Sequence, residues 1–298
     1  MSCKSINFFG EELNIYKANL HTHSDQSYCF SAEKNIEFYA GANYDVLAFT
    51  DHEYASDLSQ LDAHGMTLIS GIELHPQGPL GILWHLLALG VPADFPGKYP
   101  DAQSAVDAVA AVGGITFCAH PHWCGITAQD ILNVKGFSGI EVYNSSTRFI
   151  GKEYSEECWD ELIDAGMVCG ALAVDDTHRA HHLFHGWTMI AADNNSPEAL
   201  LAALKAGKYY ATQGPEITRM ELIDRTFIAE FSESCEVCLI GRHNTGFGVV
   251  SPGDPDAGDN FIVRSCSVEI PEKFHGSLRL RIRDNRGKYA WSNPFMVQ

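Results

Sequence analysis

Two histidines separated by a single residue, His21 and His23, open a series of ligand-type side chains that runs through the first 180 or so positions of this 298-residue chain. Asp51-His52, Glu73, His85, His120, Glu141 and Asp176-Thr177-His178 follow, and twelve of the fourteen histidines precede residue 186. In extended chain, residues two apart point to the same side, so His21 and His23 can grip one ion, as can Asp176 and His178. Imidazole mixed with carboxylate suits Zn, Mn or Fe better than Mg or Ca. A carboxylate such as Glu73 can bridge two ions about 3.5 to 4 Å apart, the separation used by two-metal hydrolases, with a shared hydroxide as the nucleophile.

A lone His or Asp at a strand end is more often a satisfied structural group than a ligand. That reading is kept for His64, His181, His182, His185, His243 and His275. For the series as a whole the density of groups decides, because buried imidazoles and carboxylates need metals or partners to offset desolvation. His75 and His122 are read as orienting a ligand or touching substrate, and Asp51 as orienting His52. Arg148 and Arg179 stand out among only ten basic residues before position 215. A guanidinium there can clamp a phosphate in bidentate fashion, the alternative being an exposed pair with a carboxylate.

The elements that must position these groups alternate. Short apolar runs predict strands over residues 15–20, 46–49, 67–70, 84–89, 115–119, 139–143, 168–174 and 187–191. Amphipathic runs between them predict helices over 32–42, 57–64, 102–112, 128–133, 153–165 and 196–206. Ser196-Pro197 is a helix start and Gly207 a stop. Strand-then-helix repetition implies a mostly parallel sheet with helices outside, most simply an α/β barrel, whose strands carry the ligand residues to one rim. After Gly214-Pro215 helical periodicity disappears, which divides the chain into a metal-binding domain, 1–214, and a small all-β domain, 215–298. In the run 278–283 the period is two, so Leu278, Leu280 and Ile282 should face a core while Arg279, Arg281 and Arg283 face solvent.

Composition narrows the function classes. Residues 1–214 hold 26 acidic against 10 basic side chains, and the whole chain carries a net charge of −18, which disfavours a nucleic-acid partner. Nine scattered cysteines do not make a disulfide framework, and the lone Cys235-x-x-Cys238 sits in strand-like sequence unsuited to a redox motif. The acidic run 253–259 lacks the ligand spacing of a calcium loop and reads as a turn. The chain shows no signal-peptide-like start and no apolar run of membrane-spanning length, so a cytoplasmic location is expected.

The segments Ala18-Asn-Leu-His-Thr-His23, Asp45-Val-Leu-Ala-Phe-Thr-Asp-His52, Gly71-Ile-Glu73, His85-Leu-Leu-Ala-Leu-Gly90, Ala119-His-Pro121, Ile140-Glu-Val-Tyr143 and Asp176-Thr-His178 resemble, in order, the polymerase and histidinol phosphatase (PHP) family of metal-dependent phosphoesterases. The tail from Tyr209 to Pro294 resembles the appended β domain of a two-domain branch, some of whose members hydrolyse carbamates or esters. The resemblance implies a distorted (β/α)7 barrel with a sandwich-like C-terminal β domain and two or three divalent ions at the barrel mouth. It implies one ion on His21, His23, Glu73 and Asp176, a second on Glu73, His85 and His120, and a third on His52 and His178. Tyr28 departs from the pattern, which would offer Asp or His there as a further ligand of the third ion, and Asp25 is the nearby substitute. The activity expected is hydrolysis of a small phosphorylated molecule, with Glu73, Asp176 and His178 catalytic and Arg179, Arg148 and His122 touching substrate. An ester, carbamate or amide hydrolase and a non-catalytic, metal-stabilised binding module are the rivals.

Overall fold

The computed structural model describes residues 5–251 and 262–298; Cys3 and the 253–259 run lie outside the described residues. The chain is mixed α/β, with one extensive sheet and few helices. Its strands are β1 (Ser5–Phe8), β2 (Glu11–Asn19), β3 (Val46–Phe49), β4 (Thr67–Leu74), β5 (Leu86–Leu89), β6 (Ile115–Cys118), β7 (Phe137–Asn144), β8 (Gly170–Val174), β9 (Trp187–Ala192) and β10 (Tyr209–Thr212). They continue as β11 (Ile217–Ile223), β12 (Thr226–Ser234), β13 (Glu236–Ile240), β14 (Gly246–Val250), β15 (Val263–Glu269), β16 (Gly276–Arg283), β17 (Tyr289–Ser292) and β18 (Phe295–Val297).

β3, β5 and β6 are buried at every residue, as continuous apolar runs require when both faces are covered. The helices are α1 (Ala32–Gly41), α2 (Ala102–Ala111), α3 (Pro121–Cys124), α4 (Ala128–Leu132), α5 (Glu156–Asp164) and α6 (Pro197–Lys205). Four of them start on side-chain caps: Ser31, Asp101, Thr127 and Ser196 each accept a backbone N–H three residues on.

The helix expected over 57–64 does not form. Asp57 and Asp62 accept the backbone N–H groups of Ser59 and His64 instead, local bonds that compete with a helical turn.

The sheet is less parallel than expected. β2, β3 and β4 run parallel, as do β6, β7 and β8, but β5 is antiparallel to both β4 and β6, and β9 is antiparallel to β2. No helix long enough to carry a crossover lies between β4 and β5, so the chain turns back on itself.

Hydrogen bonding does not stop at residue 214. β10 pairs with β9 on one side and β17 on the other, while β1 pairs with β2 and, in parallel, with β11. One apolar cluster accordingly mixes Ile6, Phe8, Leu13 and Ile15 with Met220, Phe227, Leu280 and Ile282.

Leu278, Leu280 and Ile282 are buried as their spacing requires, but the arginine row is not a solvated face. Arg279 is 1% exposed, donating to Glu156 at 2.9 Å and Asp160 at 2.6 Å with its guanidinium over the Trp159 ring. Arg281 donates to Glu156 and Glu236, and Arg283 to Glu236. Period two placed these side chains on one face; it could not show that α5 packs over it.

Candidate metal centre

Two short bridges past the strand ends draw the ligand residues together. Thr22 pairs in parallel with Thr177, and His52 with Glu73. Because alternate residues share a face, the first bridge turns His21, His23, Asp176 and His178 away from the two threonines and toward one another. β5 explains His85: running against its neighbours, it brings its amino end to the rim where they bring their carboxyl ends, and His85 immediately precedes it.

His120 and Asp176 adopt left-handed backbone angles, φ 29° and 52°. Such angles are costly for residues other than glycine and recur where a side chain must be aimed into a site. Asp175 anchors the second turn, accepting N–H groups from Phe184, His185 and Gly186 and the hydroxyl of Tyr39.

All eight residues expected as metal ligands meet in one cluster. His23 Nε2 lies 3.0 Å and His21 Nε2 3.4 Å from Asp176 Oδ1, and the two Nε2 atoms are 3.1 Å apart. Glu73 Oε1 is 2.8 Å from His85 Nδ1 and 3.3 Å from His120 Nε2, while its Oε2 is 2.7 Å from His52 Nδ1. His178 Nε2 lies 3.3 Å from His52 Nε2, and its Nδ1 lies 3.0 Å from the Asp176 carbonyl.

Four residues were missed or misplaced in the sequence. The role of Glu141 escaped, although its position was noted: it accepts from His21 Nδ1 at 2.6 Å, which turns His21 Nε2 to the cluster, and from the His120 N–H at 2.9 Å. Asn144 and Ser146 donate to Asp176 Oδ2. Asp51 does not touch the His52 ring; it accepts from Ser24, Ser27 and Ser56, and Ser27 in turn meets His23 Nδ1 and the His52 N–H. Glu141 was visible in the sequence as one of the ligand-type series and in the segment Ile140-Glu-Val-Tyr143, and its apolar strand setting, where a carboxylate needs a partner, is the physical signal for its role.

Imidazoles and carboxylates shift one another's protonation within the cluster. Burial works against a protonated His21, but Asp176, Glu141 and Glu73 outweigh it and hold its pKa well above the ordinary imidazole value. His52 and His120 are also raised against burial, the first by Glu73 and the second by its contacts with Cys124 and Glu73. Burial wins at His23, lowered to about 4, and at His85. Burial pushes Glu73 and Asp176 up, but the imidazoles dominate and hold both well below the usual carboxylate range.

The residues fit divalent ions. His52 Nδ1, Glu73 Oε2, His75 Nε2 and Asp176 Oδ1 are buried without a hydrogen-bond partner, and sets of three ligand atoms lie within 4.8 Å of one another throughout the cluster. Buried ligand atoms that converge on each other without hydrogen-bond partners have the chemistry of a donor set for a cation.

A cavity of about 590 Å³ opens over the cluster, lined by His52, Glu73, His85, His120, Asp176 and His178, by Arg179, His181 and His182, and by Trp123 and Phe149. Of the substrate-contact candidates only Arg179 lines it. Arg148 donates to the His181 carbonyl at 3.0 Å, and His122 contacts the Tyr154 carbonyl at 2.9 Å and faces a neighbouring cleft. His181 and His182, read as structural, line the cavity, while His64, His243 and His275 are exposed. Tyr28 is fully exposed and Asp25 is exposed too.

No family model and no curated protein matches the sequence. Among solved structures, the chain is similar to a two-domain protein from Bacteroides vulgatus described as containing a predicted PHP-like metal-dependent phosphoesterase, at TM-score 0.53 and 13% identity over 96% of this chain and 95% of that one. It also matches a protein from Bifidobacterium adolescentis assigned as a metal-dependent phosphoesterase (TM-score 0.41, 14% identity, 55% of this chain and 88% of that one). A lesion-specific endonuclease from Pyrococcus furiosus matches at TM-score 0.48 and 13% identity, over 64% of this chain and 56% of that one. The chain thus shares its fold, over nearly its whole length, with a PHP-like two-domain protein, as its motifs led us to expect.

Proposed function

We propose that this chain is a metal-dependent hydrolase, and specifically a phosphoesterase acting on a small phosphorylated molecule. The observation that carries the reading is the meeting of eight ligand-type side chains from distant strands beneath one open cavity. In this reading β2 to β8 form the distorted seven-stranded barrel, and residues 215–298 form a β-rich unit beside it. The distances support one ion on His21, His23, Glu73 and Asp176, a second on Glu73, His85 and His120, and a third site on His52 and His178.

Divalent ions, when bound, supply Lewis acidity toward a phosphoryl oxygen and lower the pKa of water toward neutrality. The chain supplies position. Glu141 fixes the His21 ring, and Asn144 and Ser146 hold the Asp176 carboxylate. Arg179 orients the anionic group from the cavity wall. His178, steadied through Nδ1, moves a proton to the leaving oxygen from Nε2 when it is not holding a third ion. A polyanionic substrate such as DNA is disfavoured by the net charge of −18.

A second reading is supported by Trp123 and Phe149, which line the cavity at 42% and 62% exposure: an ester or carbamate with an apolar group. Protein loaded with Mn or Zn, assayed against phosphate monoesters and against aryl esters and carbamates, separates the two. Phosphate release is expected, with Arg179→Ala raising KM about 10- to 100-fold and Arg148→Ala changing it less than about twofold. Turnover of esters or carbamates without phosphate release rejects the phosphoesterase.

A further inference from the structure

We propose that His75 is itself a metal ligand, and that His52, Glu73 and His75 together hold a divalent ion of the Zn, Mn or Fe class. The proposal rests on the cluster being a metal centre, but it assigns a position that the motif resemblance does not contain.

Glu73 and His75 are two apart at the end of β4, so they leave the strand on the same side. His75 Nε2 lies 3.3 Å from Glu73 Oε2, and His52 Nδ1 lies 2.7 Å from that same oxygen. All three atoms are buried, and none has a hydrogen-bond partner. A structural histidine beside a carboxylate would donate to it; here the contact is close but the geometry is not that of a hydrogen bond.

The two oxygens of Glu73 divide the neighbouring imidazoles. Oε1 meets His85 and His120, at 2.8 and 3.3 Å, while Oε2 meets His52 and His75, at 2.7 and 3.3 Å, and stands farther from His23 and His21, at 3.6 and 3.7 Å. A carboxylate flanked in this way offers donor atoms on both sides, and an ion on His52, Glu73 and His75 would replace the third site read above on His52 and His178. Two imidazoles and a carboxylate form a known donor set for an ion that keeps an open position. On the other side of His52, Tyr28 stands where the pattern would offer a further ligand, and both it and the substitute Asp25 are exposed. The set with His75 includes a carboxylate, Glu73, whereas the set on the His178 side, His23, His52 and His178, is imidazole alone.

The test is made on the full-length protein. Wild-type crystals soaked in Zn²⁺ should show an anomalous peak about 2.0 to 2.1 Å from His75 Nε2. In solution, elemental analysis and competition with a chromophoric chelator should show that His75→Ala loses one ion per chain or weakens it at least ~10-fold, whereas His178→Ala keeps that ion. Ions in the cluster but none within bonding distance of His75 overturn this assignment and leave the hydrolase reading standing. A wild-type protein that takes up no ion overturns both. If His75→Ala does not fold, the anomalous map of the wild type decides.

Discussion

Two charge clusters in this molecule, one buried and one part-buried, both rest on carboxylates and end differently. Beneath the β16 arginines, three guanidiniums face Glu156, Asp160 and Glu236, and the charges cancel within the protein. At the rim, Glu73, Glu141 and Asp176 are buried among imidazoles, and among the described residues no lysine or arginine pairs with them, so the cations these residues provide are protons on histidines. The first cluster carries its own permanent counter-charges, although Nε and Nη1 of Arg279 and Nε of Arg281 lack hydrogen-bond partners; the second has no permanent cation among the described residues in contact with it. A buried carboxylate is thus ambiguous until its counter-charge is identified.

Removing the added charge should have the largest effect. Chelation of the metal-loaded protein is expected to cut turnover by at least ~1000-fold, since Lewis-acid stabilisation accounts for several kcal/mol of the barrier. It should also lower the Tm, because an ion bound only by the folded state stabilises it. Retention of full turnover after exhaustive dialysis against chelator would break the contrast.

Arg279→Ala should do the reverse, costing about 2 to 3 kcal/mol of stability by denaturant titration while leaving metal content unchanged. The cost stays below that of breaking a fully buried pair because Asp160 is partly exposed. Glu141→Gln should weaken ion binding about 10- to 100-fold by loosening His21, with little change in stability in the presence of excess metal.

The smallest effect is graded by pH. Ordinary imidazole titrates near 6.5, and His21, His52 and His120 are raised above it in the ion-free protein. Their protonation therefore stabilises the ion-free fold below pH ~6.5, and that contribution is lost as pH rises through the raised values. An ion needs the same nitrogens free of protons, so its apparent affinity should climb across that window, with protons released on binding. Calorimetry in two buffers of different ionisation enthalpy measures the release; affinity independent of pH would contradict it.

Much of this was legible in the residues. Continuous apolar runs fixed β3 and β6 almost to the residue, and Ser196-Pro197 and Gly207 bracket α6 as written. The eight ligand candidates could be grouped because strand ends collect at a rim whatever the loops do. What escaped depended on distant partners. Nothing local tells that β5 is reversed, that Glu141 reaches His21 across 120 residues, or that α5 covers the arginines. The absent 57–64 helix marks the opposite failure, where an amphipathic pattern lost to short-range side-chain bonds.

The short strand β1 has a practical consequence. It is the outer neighbour of β11, through Asn7 with Arg219 and Phe8 with Met220, and its apolar residues fill the pocket under the late strands. A fragment starting at residue 215 would therefore expose a raw β edge and a hollowed interior, a template for aggregation. Anyone dissecting this protein should tether the opening hairpin to the tail rather than cut at the compositional seam.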